Sequence, residues 1–250
     1  MMRFEGRSQV LNSTKVPTVA RVATFLFTAV LAASAASAQV STSVNFDPSV
    51  PAKTREQLVN DLEFIKTVQG AKASALHRQV FGEMTGANYY SYFDSRVKSV
   101  AFDGSMSGGA VAYVSPFVDA TQMVLTKNFT QFDHPQIARL MVVFHEARHT
   151  ERQSGFWMHA VCPVPFKDSN GNDIKSIWTG MPLAGEDGCD DHAVGAYGST
   201  VVMLKNIETQ CESCSEKVKM DAALYGNDQM NRVTNRSARD QIEKDLNALL

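Results

Sequence analysis

The stretch from Asp133 to Gln153, DHPQIARLMVVFHEARHTERQ, constrains the fold more than any other part of the chain. Asp133 offers an acidic cap and Pro135 a first-turn residue whose missing N–H is no loss there, so a helix is expected to begin here and run to about Gln153. Ile137, Leu140, Met141 and Phe144 recur at helical spacing and make an apolar stripe. The fold therefore has to seat this helix against its core. His145 and His149 stand four residues apart, on one helical face, where each can offer a ring nitrogen to a single ion. Glu146 is rotated away from such an ion yet stays close to a water bound there, in position to take its proton.

The N-terminal region bears on where that helix works. Lys15 and Arg21 precede an apolar run, VATFLFTAVLAA, which ends in the small residues SAASAQ. This is the layout of a secretory signal, with Ala36-Ser37-Ala38 fitting the cleavage rule and residues 39–250 left as a single mature domain. The apolar run is short for a bilayer span, so no stable membrane anchor is expected after cleavage. Export to a secreted or periplasmic location would let the four cysteines, Cys162, Cys189, Cys211 and Cys214, form disulfides, and Cys162–Cys189 with Cys211–Cys214 is the favoured pairing. The 24 basic and 26 acidic residues give a net charge of −2 with no Lys/Arg cluster to follow a phosphate backbone, which argues against nucleic acid as a partner.

The remaining chain reads as α+β. A first helix is expected over TREQLVNDLEFIKTVQG, from a Thr54 cap to a Gly70 stop. Two strands are expected around the glycine-rich turn Gly104 to Gly109, and another in TQMVLTKNFTQF, which places a small sheet ahead of the histidine helix. From Ser154 to Cys189 the chain is rich in Gly, Pro, Asp and Asn and reads as an unusually long loop of functional kind. A helix from about Asp190 to Glu208 and a helical C-terminal part complete the architecture.

His145-Glu146-Ala147-Arg148-His149 resembles the HExxH signature of zincin-type zinc metallopeptidases. The resemblance implies a zincin-like catalytic domain, Zn2+ as cofactor, His145 and His149 as ligands, Glu146 as general base, and a peptide or protein substrate. It does not extend to a subfamily: the metzincin pattern needs glycine at 152 and histidine at 155, where this chain has Arg152 and Gly155. The third ligand has to come from further on. DDHAVGAYGS is similar to the thermolysin-type ligand helix and puts Asp190 first, because Asp190, Val194 and Tyr197 would share one helical face and a Cys162–Cys189 bridge would bring His159 and Asp190 together. His159 and Asp191 are the alternatives. Tyr197 is the second catalytic candidate, as a donor to a developing oxyanion, and Arg148 is expected to order Asp190 or Asp191. The expectation is thus an exported zinc-dependent hydrolase, with a non-catalytic zinc-binding module or a metal-free, disulfide-stabilised exported binding protein as the competing classes.

Overall fold

The computed structural model describes residues 44–105 and 108–249, all within one compact unit, Val40–Leu250. The secretory signal expected over residues 1–38 lies outside the described residues. In chain order the elements are β1 (Asn45–Phe46), α1 (Ala52–Lys66), α2 (Ala75–Phe81), α3 (Gly86–Arg96), β2 (Ser99–Asp103), β3 (Ala112–Ser115), α4 (Pro116–Asp119), β4 (Ala120–Thr126), α5 (Lys127–Gln131) and α6 (Gln136–Arg148). They continue with β5 (Ala160–Val161), β6 (Asp187–Cys189), α7 (Ala196–Gln210), α8 (Glu216–Arg232) and α9 (Arg236–Asn247). Helices combined with a small mixed sheet make an α+β architecture.

The sheet runs β1-β2-β4-β3. β1, β2 and β4 are parallel, and β3 returns antiparallel along β4 with Tyr113 opposite Val124. The two strands expected around the glycine-rich turn are both present, but β4 lies between them. β3 is left at the edge, with no strand on its other side among the described residues.

Four helices fall where the sequence reading placed none: α4, α5, which takes over the strand expected in TQMVLTKNFTQF once β4 ends at Thr126, and the longer α2 and α3. Ser74 accepts a hydrogen bond from the amide of His77 to start α2, and Thr85 accepts from that of Asn88 to start α3, the capping that short helices need. The aromatic content of α3, GANYYSYFDSR, suggests a strand, but Tyr89, Tyr92 and Phe93 face the core together as one helical side. α1 begins after Pro51, earlier than the Thr54 cap expected.

α6 is enclosed on nearly every face, and Ile137, Ala138, Leu140, Val143, Phe144 and Ala147 are all but inaccessible. This exceeds the single stripe read from its spacing, and it follows from IARLMVVF having almost no polar side to offer water. Its one basic interruption, Arg139, is absorbed by α1, where Asp61 accepts from Nε and Nη2 at 2.7 Å each. Phe144 is the hub, with the rings of Phe81, Tyr89 and Tyr92 5.8 to 5.9 Å from its own and that of Phe93 at 6.5 Å. The residue after this hub is His145, so the start of the site is fixed by the aromatic cluster around Phe144.

Candidate metal centre

α6 ends sooner than its sequence suggests, at Arg148, with His149 as the C-terminal cap. His145 and His149 are still one turn apart, and their Nε2 atoms are separated by 3.2 Å. After a 3-10 segment, Arg152–Trp157, the chain doubles back and brings His159 Nε2 to 3.2 Å from each of them. These three imidazoles form a group that could hold a metal ion.

The donor set fits such an ion. A tetrahedral site with metal–nitrogen bonds of roughly 2.0–2.1 Å keeps its ligand nitrogens about 3.3 Å apart, close to the observed triangle. The other ring nitrogens are engaged on acceptors. His149 Nδ1 lies 2.8 Å from the Phe156 carbonyl oxygen, His159 Nδ1 lies 3.4 Å from Asp190 Oδ1, and His145 is hydrogen-bonded to the backbone of Ala196. Protons held at the Nδ1 atoms leave the Nε2 lone pairs converging on one point. Burial draws His149 down to about 4 and His145 well below the usual histidine range, with the neighbouring imidazoles adding to the effect.

Asp190 stands behind this triangle. Its Oδ2 accepts from the amides of Tyr197 and Gly198 at 2.7 and 3.2 Å, while Oδ1 faces His159. α7 starts at Ala196, six residues after Asp190, so Asp190, Val194 and Tyr197 do not share a helical face. The intervening turn folds the carboxylate over the helix N-terminus, where it satisfies two amides that would otherwise be unpaired. Gly195 makes this possible, since a Cβ there would collide with the Asp190 carboxylate. Asp191 is exposed and lies 3.2 Å from His192 Nε2, away from the histidine triangle.

Glu146 faces the same cleft as the three histidines, a space of about 730 Å³. It is 5 % exposed, its Oε2 has no hydrogen-bond partner, and burial pushes its carboxyl up to about 8. Tyr197 also borders the cleft, its ring 4.4 Å from that of His145 and 4.8 Å from that of His159. Burial raises its phenol, and the Arg232 guanidinium, donating to its hydroxyl at 2.9 Å, works against that rise. The edge strand β3 forms another wall through Ala112, Tyr113 and Val114.

Both disulfides are present, Cys162–Cys189 and Cys211–Cys214. The first joins Cys162, the residue after β5, to the end of β6 beside His159 and Asp190, and the segment between is a compact wall with its own small core of Phe166 and Leu183. The second closes the end of α7. Two disulfides fit an oxidising, extracellular compartment, and among the described residues no helix is long and apolar enough to cross a membrane.

Three contributors to the site were not singled out from the sequence. Arg232, at the end of α8, bears on Tyr197 from outside any local motif and carries no sequence signal. Glu151 and Trp157 hold the turn that returns His159. Arg148, expected to order Asp190 or Asp191, instead donates to Glu151 and to the Val194 carbonyl oxygen; its three-residue spacing from Glu151 on a helix end was the available clue. His134, which had no partner in the sequence reading, lies 2.8 Å from the Tyr225 hydroxyl and stacks on Trp178. No protein-family model matches this chain, and no curated protein or solved structure does either.

Proposed function

We propose that the protein is an exported zinc-dependent hydrolase acting on peptide bonds, with His145, His149 and His159 as the zinc ligands. The observation that carries this reading is the meeting, in one cleft, of three Nε2 atoms 3.2 Å apart with a buried glutamate whose Oε2 is unpartnered. Zinc held by these nitrogens would supply a Lewis acid that polarises a carbonyl and acidifies a water molecule.

The rest of the chemistry belongs to side chains of the chain itself. Glu146, as the carboxylate, takes a proton from the attacking water, and burial, which raises its carboxyl, helps it keep that proton until it is passed to the departing amine. Tyr197 receives a hydrogen bond from Arg232, which leaves the phenol's own hydrogen available to the oxygen that gains charge. Asp190 fixes the orientation of the His159 ring and is assigned to that role rather than to direct ligation. The edge of β3, unpaired by any strand among the described residues, offers backbone groups to an extended chain, which favours a peptide over a compact small molecule.

Glu146→Gln tests the reading. The variant is expected to bind zinc as the parent does and to lose turnover of a mixed peptide library by at least about a hundredfold. Undiminished cleavage by the variant refutes the role of Glu146, and a parent protein that binds zinc but cuts no peptide leaves a zinc-binding module in place of the enzyme.

A further inference from the structure

The return of His159 depends on an uncommon backbone path. Gly155, Phe156 and Trp157 have φ of 62°, 61° and 48°, three consecutive residues in the left-handed region of which only the first is a glycine. Each of the other two carries a penalty that the surroundings have to offset. The turn serves the histidines twice. The Phe156 carbonyl oxygen accepts from His149 Nδ1, and two residues after Trp157 the chain delivers His159.

Glu151 holds this turn from both its backbone and its side chain. Its carbonyl oxygen accepts from the amides of Ser154 and Phe156 at 3.1 and 3.0 Å. Its carboxylate, 7 % exposed, receives Trp157 Nε1 at 2.8 Å, Arg148 Nη1 at 2.6 and 2.7 Å, and Arg96 Nε and Nη2 at 2.9 and 2.8 Å. The Arg148 guanidinium also lies over the Trp157 ring, 4.5 Å from its centroid, and its other nitrogens donate to Val194 in the lead-in to α7. One carboxylate thereby links α3, the end of α6 and the left-handed turn, while Arg148 extends the link to the segment that carries Asp190.

We propose that Glu151, with Arg148 and Trp157, is a positioning clamp for the metal site: it holds Phe156 and Trp157 in the left-handed conformation that brings His159 onto His145 and His149. The clamp rests on the reading of the three histidines as ligands and touches neither ion nor substrate. It accounts for the buried Arg148–Glu151 pair, joined by the half-buried Arg96, beside the site, an arrangement that stability alone does not favour over apolar packing.

The test uses the full chain stripped of metal and titrated with zinc(II) alone against a chromophoric chelator, at a temperature where every variant is folded by circular dichroism. Trp157→Phe keeps an aromatic ring under Arg148 and loses the Nε1 donor; Glu151→Gln keeps the shape and loses the charge. Each is expected to weaken zinc binding about 10- to 100-fold, the range seen when a group orienting a metal-bound histidine is lost, and to alter the visible spectrum of the cobalt(II) form. Adding Phe156→Gly to Trp157→Phe should recover about fivefold, because glycine adopts the left-handed conformation without the penalty. A role in stability alone would leave zinc affinity and the cobalt spectrum unchanged in the single variants, and that result overturns the clamp, as does a double variant with no recovery. Failure of the parent itself to bind zinc overturns the ligand assignment and the clamp together, so the two ideas fail in distinguishable ways.

Discussion

Replacing Asp190 separates two roles that one buried carboxylate performs at once. Oδ2 caps α7 through the amides of Tyr197 and Gly198, and Oδ1 faces His159 Nδ1 at 3.4 Å. In Asp190→Asn the amide oxygen still accepts from the two backbone amides, so the metal-free protein should lose little stability. The amide nitrogen then meets the Nδ1–H of His159, two donors face each other, and the ring is no longer held for ligation. Zinc affinity is expected to fall about 10- to 100-fold, equivalent to roughly 1.4–2.8 kcal/mol. Asp190→Ala removes both roles. It should show a comparable loss of affinity and, in addition, about 0.5–2 kcal/mol of metal-free stability from the lost cap, which is on the order of 1–8 °C in melting temperature at this chain length. Zinc competition titrations and calorimetry of the metal-free variants read the two effects independently. Asp190→Asn binding zinc as tightly as the parent would refute the orienting role; a loss beyond about a thousandfold would instead make Asp190 a ligand in its own right.

Three further outcomes are expected. Replacing Cys162 and Cys189 together by alanine opens a cross-link of sequence separation 27 and should destabilise the protein by about 3–4 kcal/mol on the chain-entropy account, readable in urea unfolding; an unchanged midpoint refutes it. His77 is fully buried, with Nδ1 on the Gly82 carbonyl oxygen and Nε2 on the Tyr89 hydroxyl, and burial draws it down to about 4. The unfolded chain therefore binds more protons between pH 6.5 and 4, and the stability due to neutral His77 is complete above that window and lost as pH falls through it, by about 3 kcal/mol. His77→Gln should flatten the pH dependence of unfolding in that window, and an equally steep profile would show that the ring is not the source. Zinc at about a hundred times its dissociation constant should add about 2.7 kcal/mol, raising the melting temperature by roughly 5–11 °C, and a chelator should reverse it; no shift would contradict binding by the folded state alone.

The parts of the site legible in the sequence are those whose geometry is local. His145, Glu146 and His149 are ordered by the helical repeat, and the apolar run before them announces the burial that sets their electrostatics. The short helix α3 was hidden because Tyr89, Tyr92 and Phe93 favour strands in isolation, while the Phe144 cluster that recruits them is assembled from distant segments. The sequence places His159 behind Asp190 because it suggests a helix that starts at Asp190 and shares a face with Val194 and Tyr197, whereas α7 starts at Ala196; and nothing in Phe156 or Trp157 announces a left-handed backbone. Sequence rules identify such turns by residues that adopt them freely. Two of the three residues of this turn resist it, and the carboxylate that holds it is tied not only to nearby Arg148 but also to Arg96 of α3, which no local window contains. The same feature keeps His159 an alternative rather than the first choice in a sequence reading and gives it a fixed position in the fold: a glycine-rich return would be easier to see, but it would leave the third imidazole free to swing and would surrender the preorganisation that converging nitrogens require.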